Sequence, residues 1–594
     1  MSNSLLERFN NLVDTITKNK PWHKLPVPLG LLQLIAFRDK MREDNLHDTA
    51  QLKNADGEAP SQPSAEGVNL KFRTADGSFN DLKDPKMGQV KSRFGRNVPL
   101  KYVQPDTENL FNPNPRIVSR RLLTRDEFVP ASTLNLLAAA WIQFQTHDWF
   151  VHGNTDLEGG EEYELPLEEN DPWPEEYRPL SVRKTVADET KPTSFRNKVT
   201  HWWDASQIYG SDQETIDKLR THVDGKMLIG EDDVLPLNPE KGVDLAGFED
   251  NWWVGLSLLH SLFVKEHNTL CDHLKQRYPD WGDDNLFNHA RLINAALLAK
   301  IHTVEWTPGI LGHPALQIAM RANWWGMLGQ DVKNIFGHIG DGEVLSGIVG
   351  SPTDHHAAPY YLTEEFVSVY RMHPLMPDEF NFYSVQDGKL LLTEDLFAVS
   401  GKRTRAILEQ VSMEDLFYSF GLMHPGAISL HNYPRLLQTL VRDTGEVFDL
   451  GSVDILRDRE RGVPRYNDFR ELIGKERVKS FEEITSNSQW VKELREVYHN
   501  DVNQVDLMIG MFAEDLPDGF GFSDTAFRIF ILMASRRLKS DRFFTDDYKA
   551  EIYTQFGLDW IDKNTMLSVL KRHYPSLSRT LAGVENAFAP WRRV

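Results

Sequence analysis

Long stretches of this chain repeat their apolar residues every three to four positions. ASTLNLLAAAWIQFQTHDWF (131–150), NWWVGLSLLHSLFVKEHNTLCDHLKQRY (251–278), NLFNHARLINAALLAKIHTVEW (285–306) and DTAFRIFILMASRRLKSDRFF (524–544) all follow this pattern. A period near 3.6 turns one helical stripe toward a core, whereas strands need alternation, which is scarce here. The fold class expected is mainly α: a large helical domain with few short strands and long surface loops. A length of 594 residues taken alone suggests several domains. No internal repeat appears, however, and no linker divides the chain. We therefore expect N-terminal amphipathic helices over 1–46 (SLLERFNNLVDTI, then PVPLGLLQLIAFRDKM) and one helical domain over 47–594. A composition 40% apolar and 26% charged supplies a large core. Residues 47–90 are polar and rich in Gly, Pro and Asp, and are expected as a long surface loop. The acidic GNTDLEGGEEYELPLEENDPWPEEYRP (153–179) is expected as a second one.

The net charge of −21 argues against nucleic acid, whose phosphates call for Lys and Arg. Cys271 is the single cysteine, so no intrachain disulfide or thiolate metal cluster can form. That fits a reducing compartment, and a cytoplasmic location is expected. The first residues lack an apolar signal core, and no run approaches the roughly 18 apolar residues of a membrane span. The apolar face around residues 27–37 packs on its own domain in the plainest reading. It could also admit lipid substrate or touch a membrane surface peripherally.

Several residues carry possible chemistry. Gln143 and His147 lie one helical turn apart in an apolar segment, and Asp148 must point elsewhere. Thr200, Trp202, Asp204 and Ser206 alternate; in an extended loop their hydroxyls, a carbonyl and a carboxylate would converge as hard oxygen ligands suited to Ca²⁺. In EEFVSVYRMHPLMPDEF (364–380), Tyr370 and His373 are three residues apart, which on a helix gives them one face. His260, His267, His424 and His431 are expected to be structural, Cys271 a buried small residue, and His355 with His356 part of a solvated loop.

QFQTHD (143–148) followed by THWWDASQIYGS (200–211) resembles the animal-type haem peroxidase superfamily, which includes cyclooxygenases and myeloperoxidase-like enzymes. LLHSLFVKEHNTL, ILRDRERGVPRYNDFRELIG and ILMASRRLKSDRFF resemble further signatures of that superfamily, in the expected order. AKIHTVEWT (299–307) and the 364–380 stretch look most like fatty-acid α-dioxygenases. The resemblance implies haem b and one Ca²⁺. It makes His147 the distal histidine with Gln143 beside it, and His373 the proximal iron ligand with Asn432, in LHNYP, bonded to its other ring nitrogen. Asp148, Thr200, Trp202 (through its backbone), Asp204 and Ser206 become the Ca²⁺ ligands. His302, Thr307 and Arg537 hold a substrate carboxylate, with Arg536 the alternative arginine and Arg542 a structural salt bridge. Glu249 and Trp252 fall, by rough spacing, where dedicated peroxidases carry a catalytic arginine and a haem-linked carboxylate. A general peroxidase with covalent haem is therefore not expected.

The implied reaction runs through a radical on Tyr370 that takes the α-hydrogen of a fatty acid. O₂ then adds to give a 2-hydroperoxy acid, which can lose CO₂ to leave an aldehyde one carbon shorter. The implied partners are a fatty acid, O₂ and an activating peroxide. The alternatives are a haem peroxidase or hydroperoxide-using oxidase without α-specificity, and a haem- or lipid-binding protein without turnover.

Overall fold

A computed structural model describes residues 20–52, 61–153, 161–336, 342–442 and 445–594. The expected helix over 4–16 lies outside the described residues. The helices that frame the site are α1 (Val27–Asp44), α2 (Leu137–Trp149), α3 (Val254–Arg277), α4 (Asp283–Ile301), α5 (Glu364–Val369), α6 (Leu450–Glu460) and α7 (Asp524–Ser540). Among the described residues, sheet structure amounts to four two-stranded antiparallel pairs. The protein is mainly helical, as the periodicity predicts. No described helix is long and apolar enough to cross a membrane.

One apolar cluster runs from Trp22 to Trp591 and includes Leu31, Leu34 and Met41 of α1. Helix α1 packs on α7. Arg38 and Arg42 of α1 both reach Glu343 at 2.6 Å. Helices α2, α3 and α4 pack in succession, and α5 lies against α7. These contacts carry the end of α2, the start of the segment after α4, α5 and α7 to one place.

Two local departures from helical regularity shape that place. Helix α4 runs without a break into a π-helical turn, His302–Trp306, and then a short helix, Thr307–Ile310. A π-turn holds one more residue than an α-turn and is frequent at functional sites. Helix α5 starts where the Thr363 hydroxyl accepts from the Phe366 amide at 3.1 Å, and it ends at Val369. Tyr370 and His373 therefore do not share a helix face as the spacing predicts. Tyr370 caps α5 at φ −94° and ψ 11°, the Met372 amide turns back to the Tyr370 carbonyl at 2.8 Å, and His373 opens a 3₁₀ turn through Leu375. Pro374 is incompatible with a continuous helix here, since it has no N–H to donate to the Tyr370 carbonyl four residues earlier and its ring would clash there.

The segment 47–90 is irregular as expected, but its described second half is not a solvated loop. Phe72, Arg73, Phe79, Asn80 and Met87 are buried. Arg73 pairs with Asp541 at 2.9 Å, and its guanidinium stacks 4.6 Å from the Phe543 ring. Gly88, at φ +69°, lies under the Trp202 indole, and a Cβ there would sit 2.5 Å from the ring. A glycine-rich stretch that looks like a surface loop is here a close-packed lid on the 200–206 segment.

Candidate active site

Three consecutive residues at the end of α2 splay toward three places. Neighbours on a helix are about 100° apart, so His147, Asp148 and Trp149 cannot share a surroundings.

His147 is buried, stands edge-on to Phe248 at 4.9 Å, and keeps an Nδ1 with no hydrogen-bond partner. Burial, with a smaller push from His260, lowers its pKa to about 3. It is a neutral imidazole, able to exchange a proton rather than hold a fixed charge. Gln143, one turn earlier, accepts from the Trp253 indole at 2.7 Å and donates to the Asn251 carbonyl at 3.1 Å.

Asp148 faces the 200–206 segment. Its Oδ1 accepts from the Ser206 amide at 2.5 Å and hydroxyl at 2.9 Å, and its buried Oδ2 has no partner. The Thr200 hydroxyl donates to Asp204 Oδ2 at 3.0 Å. The segment is bent rather than extended: Ala205 is left-handed at φ +62°, and Ser206 opens a helical turn. Sequence alternation is therefore not what gathers these oxygens. Burial raises the Asp148 carboxyl well above its usual range, and Asp204 adds to the rise. Asp204 is raised too, by burial, with Arg291 opposing from 3.8 Å. Two buried carboxylates beside hydroxyls fit a hard cation, although the described residues hold no cluster of three His, Cys, Asp or Glu side chains suited to a metal. Trp202 donates its indole N–H to the Gly77 carbonyl at 2.9 Å and stacks on Tyr360 at 4.7 Å, so only its backbone is left for an ion.

Trp149 is the hub that sequence reasoning missed. Its ring is edge-on to Tyr370 at 5.2 Å, to His302 at 5.2 Å and to Trp203 at 5.8 Å. The Arg537 guanidinium lies 4.1 Å from Trp149 and 4.3 Å from Trp203. Arg537 is 2% exposed, and its Nε and Nη2 find no partner. Burial lowers its pKa, with Tyr360, Asp148 and Tyr370 opposing. Arg536 points away and donates to the carbonyls of Ala358 and Pro359 at 2.7 and 2.8 Å. Arg542 pairs with Asp547, as expected of a structural residue. His302 is buried, and burial plus the Arg537 charge hold its pKa well below the usual value. Thr307 is buried one π-turn on, its hydroxyl donating to the His302 carbonyl at 2.9 Å. Tyr370 is 7% exposed, and burial raises its pKa, with Arg537 opposing; it is a neutral phenol.

His373 lies on the other side of the α5 break. Its Nδ1–H donates to Asp454 Oδ2 of α6 at 2.8 Å, not to Asn432. Asn432 is fully engaged elsewhere: its amide donates to the Val129 and Ala427 carbonyls, and its oxygen accepts from Arg125 and the Val129 amide. Asp454 also takes Arg371 at 2.7 Å and the Tyr433 hydroxyl at 3.0 Å. Burial pushes its carboxyl up, but His373 and Arg371 together outweigh this and lower it to about 2. The carboxylate fixes the proton on Nδ1 and leaves the His373 Nε2 lone pair free, with the side chain still 35% exposed. Together with the neutral, unpartnered His147, these residues fit a haem.

Glu249 accepts from Asn238 and the Ala246 amide, and Trp252 donates to Ser257. Glu266 braces helices through Arg572, His573 and Trp560. Cys271 is buried.

The helical body, Tyr370 at the end of α5 and the carboxylate-backed His373 define a haem-peroxidase-like protein, and residues 72–585 match the animal haem peroxidase family; the chain belongs to it. Within that family it is similar to proteins named alpha-dioxygenase. Alpha-dioxygenase 1 of Arabidopsis thaliana is 39% identical, over 99% of this chain and 93% of that protein. Alpha-dioxygenase PIOX of Oryza sativa is 38% identical, over 98% and 94%. The crystal structure of the Arabidopsis fatty acid alpha-dioxygenase superposes with a TM-score of 0.90 at 36% identity, covering 99% of this chain and 92% of that one. A tyrosine-to-phenylalanine variant of the rice enzyme, solved with palmitic acid, superposes at 0.91 and 36%, covering 100% and 97%.

Proposed function

We propose that this protein is a fatty-acid α-dioxygenase that works through a radical on Tyr370, with haem b and one Ca²⁺ as its resident groups. The observation that carries the chemistry is Arg537: a buried guanidinium without a carboxylate partner, stacked on the same Trp149 that contacts Tyr370. A buried cation calls for an anion, and its fork matches a carboxylate. A fatty acid anchored there by Arg537 and His302, with the Thr307 hydroxyl turned from the His302 carbonyl toward the carboxylate, has its α-carbon next to the anchor, which is where α-oxidation acts.

His373 would hold the iron of haem through Nε2, backed by Asp454, with His147 and Gln143 on the distal side. Bound haem supplies the oxidising equivalent when an activating peroxide is present. His147, neutral and with a free ring nitrogen, moves the proton of that peroxide. Tyr370 gives up one electron and its phenolic proton. The phenoxyl oxygen then takes a hydrogen atom from the α-carbon, which restores the phenol and leaves a carbon radical. O₂ adds to that carbon, and the peroxyl group recovers a hydrogen atom from Tyr370 to give the 2-hydroperoxy acid. Cleavage of its O–O bond with loss of CO₂ and water leaves the shorter aldehyde. Asp148, Thr200, Asp204, Ser206 and the Trp202 carbonyl would hold Ca²⁺, tying the end of α2 to the 200–206 segment.

Oxygen uptake with saturated C12 to C18 acids and with their methyl esters, followed by product identification, tests the assignment. Acids should give 2-hydroperoxides and the esters should be poor substrates. Equal turnover of acid and ester would remove the carboxylate site.

A further inference from the structure

His302 is enclosed by four tryptophans. Trp306 stacks on it at 4.7 Å and 14°, and Trp149 and Trp203 stand edge-on at 5.2 and 5.3 Å. Trp141, two turns before Trp149 on α2, directs its indole Nε1 at His302 Nδ1 at 3.2 Å. Trp306 is itself tied to α2, its indole donating to the Ala138 carbonyl at 2.9 Å. Every one of these rings is buried.

The Trp141 contact has only one chemically allowed sense. An indole N–H is a donor and never an acceptor. Nδ1 must therefore present its lone pair, and the ring proton must sit on Nε2. The hydrogen-bond partner of one imidazole nitrogen fixes the role of the other. A proton on both nitrogens would set Nδ1–H against the indole N–H and add a second buried cation beside Arg537. One guanidinium and one carboxylate balance in charge; a charged His302 would not.

Given the carboxylate site proposed above, on which this step rests, we propose that Trp141 is a positioning residue that locks His302 as the neutral tautomer with Nε2–H available to donate to the substrate carboxylate. Trp141 touches neither substrate nor cofactor. It acts by denying His302 the other tautomer and the protonated state, and the stacked Trp306 restrains the ring from flipping. The α-to-π transition at residue 302 suits the arrangement, because the extra residue places His302 opposite α2 while Trp306 anchors to the same helix.

The test is a double-mutant cycle on the haem-loaded enzyme with Trp141→Phe, His302→Phe and the pair, read as KM and kcat for palmitic acid. The Trp141→Phe substitution keeps an aromatic ring, removes the N–H and also gives up part of the indole volume, which the double-mutant cycle separates from the hydrogen bond. It should raise KM about tenfold with little change in kcat. That is the scale of losing control over one hydrogen bond to a charged acceptor, about 1.4 kcal/mol. In the His302→Phe background the same substitution should add nothing to KM. Full additivity would mean that Trp141 only fills space, and would overturn the inference. A raised KM in His302→Phe with an unchanged KM in Trp141→Phe would also overturn it while leaving the carboxylate site intact. An unchanged KM in His302→Phe would remove His302 from the carboxylate site and overturn the inference, while the site on Arg537 is tested separately by the acid and ester comparison. Trp141→His, which restores a ring N–H donor, should recover part of the lost affinity; failure to do so, with the fold retained, counts against the proposal.

Discussion

Replacing Arg537 by methionine should weaken substrate binding severely while leaving folding nearly untouched. For an ordinary buried arginine the two effects go together, because removing one partner of a buried ion pair costs roughly 3–5 kcal/mol. Arg537 has no ion-pair partner to strand. Its burial leaves two nitrogens unsatisfied, each costing on the order of 1–3 kcal/mol. Stacking on Trp149 and Trp203 returns about 1–2 kcal/mol each in a desolvated setting. These contributions nearly cancel, and methionine keeps much of the contact, so stability should change by no more than about 2 kcal/mol. The substrate carboxylate, by contrast, loses its only cation in a buried site. Losses of that kind run to roughly 2–5 kcal/mol, and at about 1.4 kcal/mol per tenfold this is a thirty- to several-thousand-fold rise in KM. Oxygen uptake against palmitic acid and its methyl ester, beside a melting curve of the haem-loaded variant, reads both quantities. Discrimination between acid and ester should collapse with the acid KM. A variant that melts far below the parent yet binds palmitic acid normally would show Arg537 to be a framework residue.

Three other perturbations have defined outcomes. Burial lowers the pKa of His147 to about 3 and of His152, His201, His260, His267 and His289 to about 4, all below the unfolded value near 6.5. The unfolded chain then binds more protons between those limits, so stability should fall as pH drops below 6.5, each histidine adding up to about 1.4 kcal/mol per pH unit; equal melting temperatures at pH 7 and pH 5 would contradict this. Chelating divalent cations should lower the melting temperature of the parent and have little effect on Asp148→Asn, in which the unpartnered buried carboxylate is gone; a parent indifferent to chelation would remove the Ca²⁺ assignment. Asp454→Asn replaces a carboxylate on His373 Nδ1 by a neutral acceptor, so the haem reduction potential should rise by tens of millivolts, measured by spectroelectrochemistry; an unchanged potential would mean that Asp454 serves only Arg371 and Tyr433.

Much of this arrangement was legible before any coordinates. Helical periodicity fixed the fold class because a 3.6-residue apolar stripe has one economical use. The site residues that could be read were those in short local motifs: His147 with Asp148, Tyr370 near His373, and the paired arginines at 536 and 537. What escaped depended on contacts distant in sequence or on breaks in regular structure. Asp454 lies 81 residues from His373, and a carboxylate in a charged helix looks solvated until α6 is seen to be buried. The choice of Asn432 failed because its amide is already saturated by the 125–129 and 427 backbone. Trp149 sits in an apolar helix like any core aromatic, and only its contacts with Tyr370, His302, Trp203 and Arg537 distinguish it. The one available signal was its place beside His147 and Asp148, since a third face of the same helix turn had to point somewhere. The end of α5 at Val369 could have been read from Pro374, which sits one residue past His373 and argues against a helix running through both residues.

The most direct test of the central claim is Tyr370→Phe. The phenol is buried and feels the Arg537 charge, and loss of its hydroxyl leaves the ring contacts to Trp149 and Phe366 in place. The variant should fold, take up haem with a normal Soret band and still consume peroxide, while oxygen uptake with palmitic acid falls to background and no 2-hydroperoxide forms. Normal 2-hydroperoxide formation by Tyr370→Phe would contradict the radical mechanism at its root.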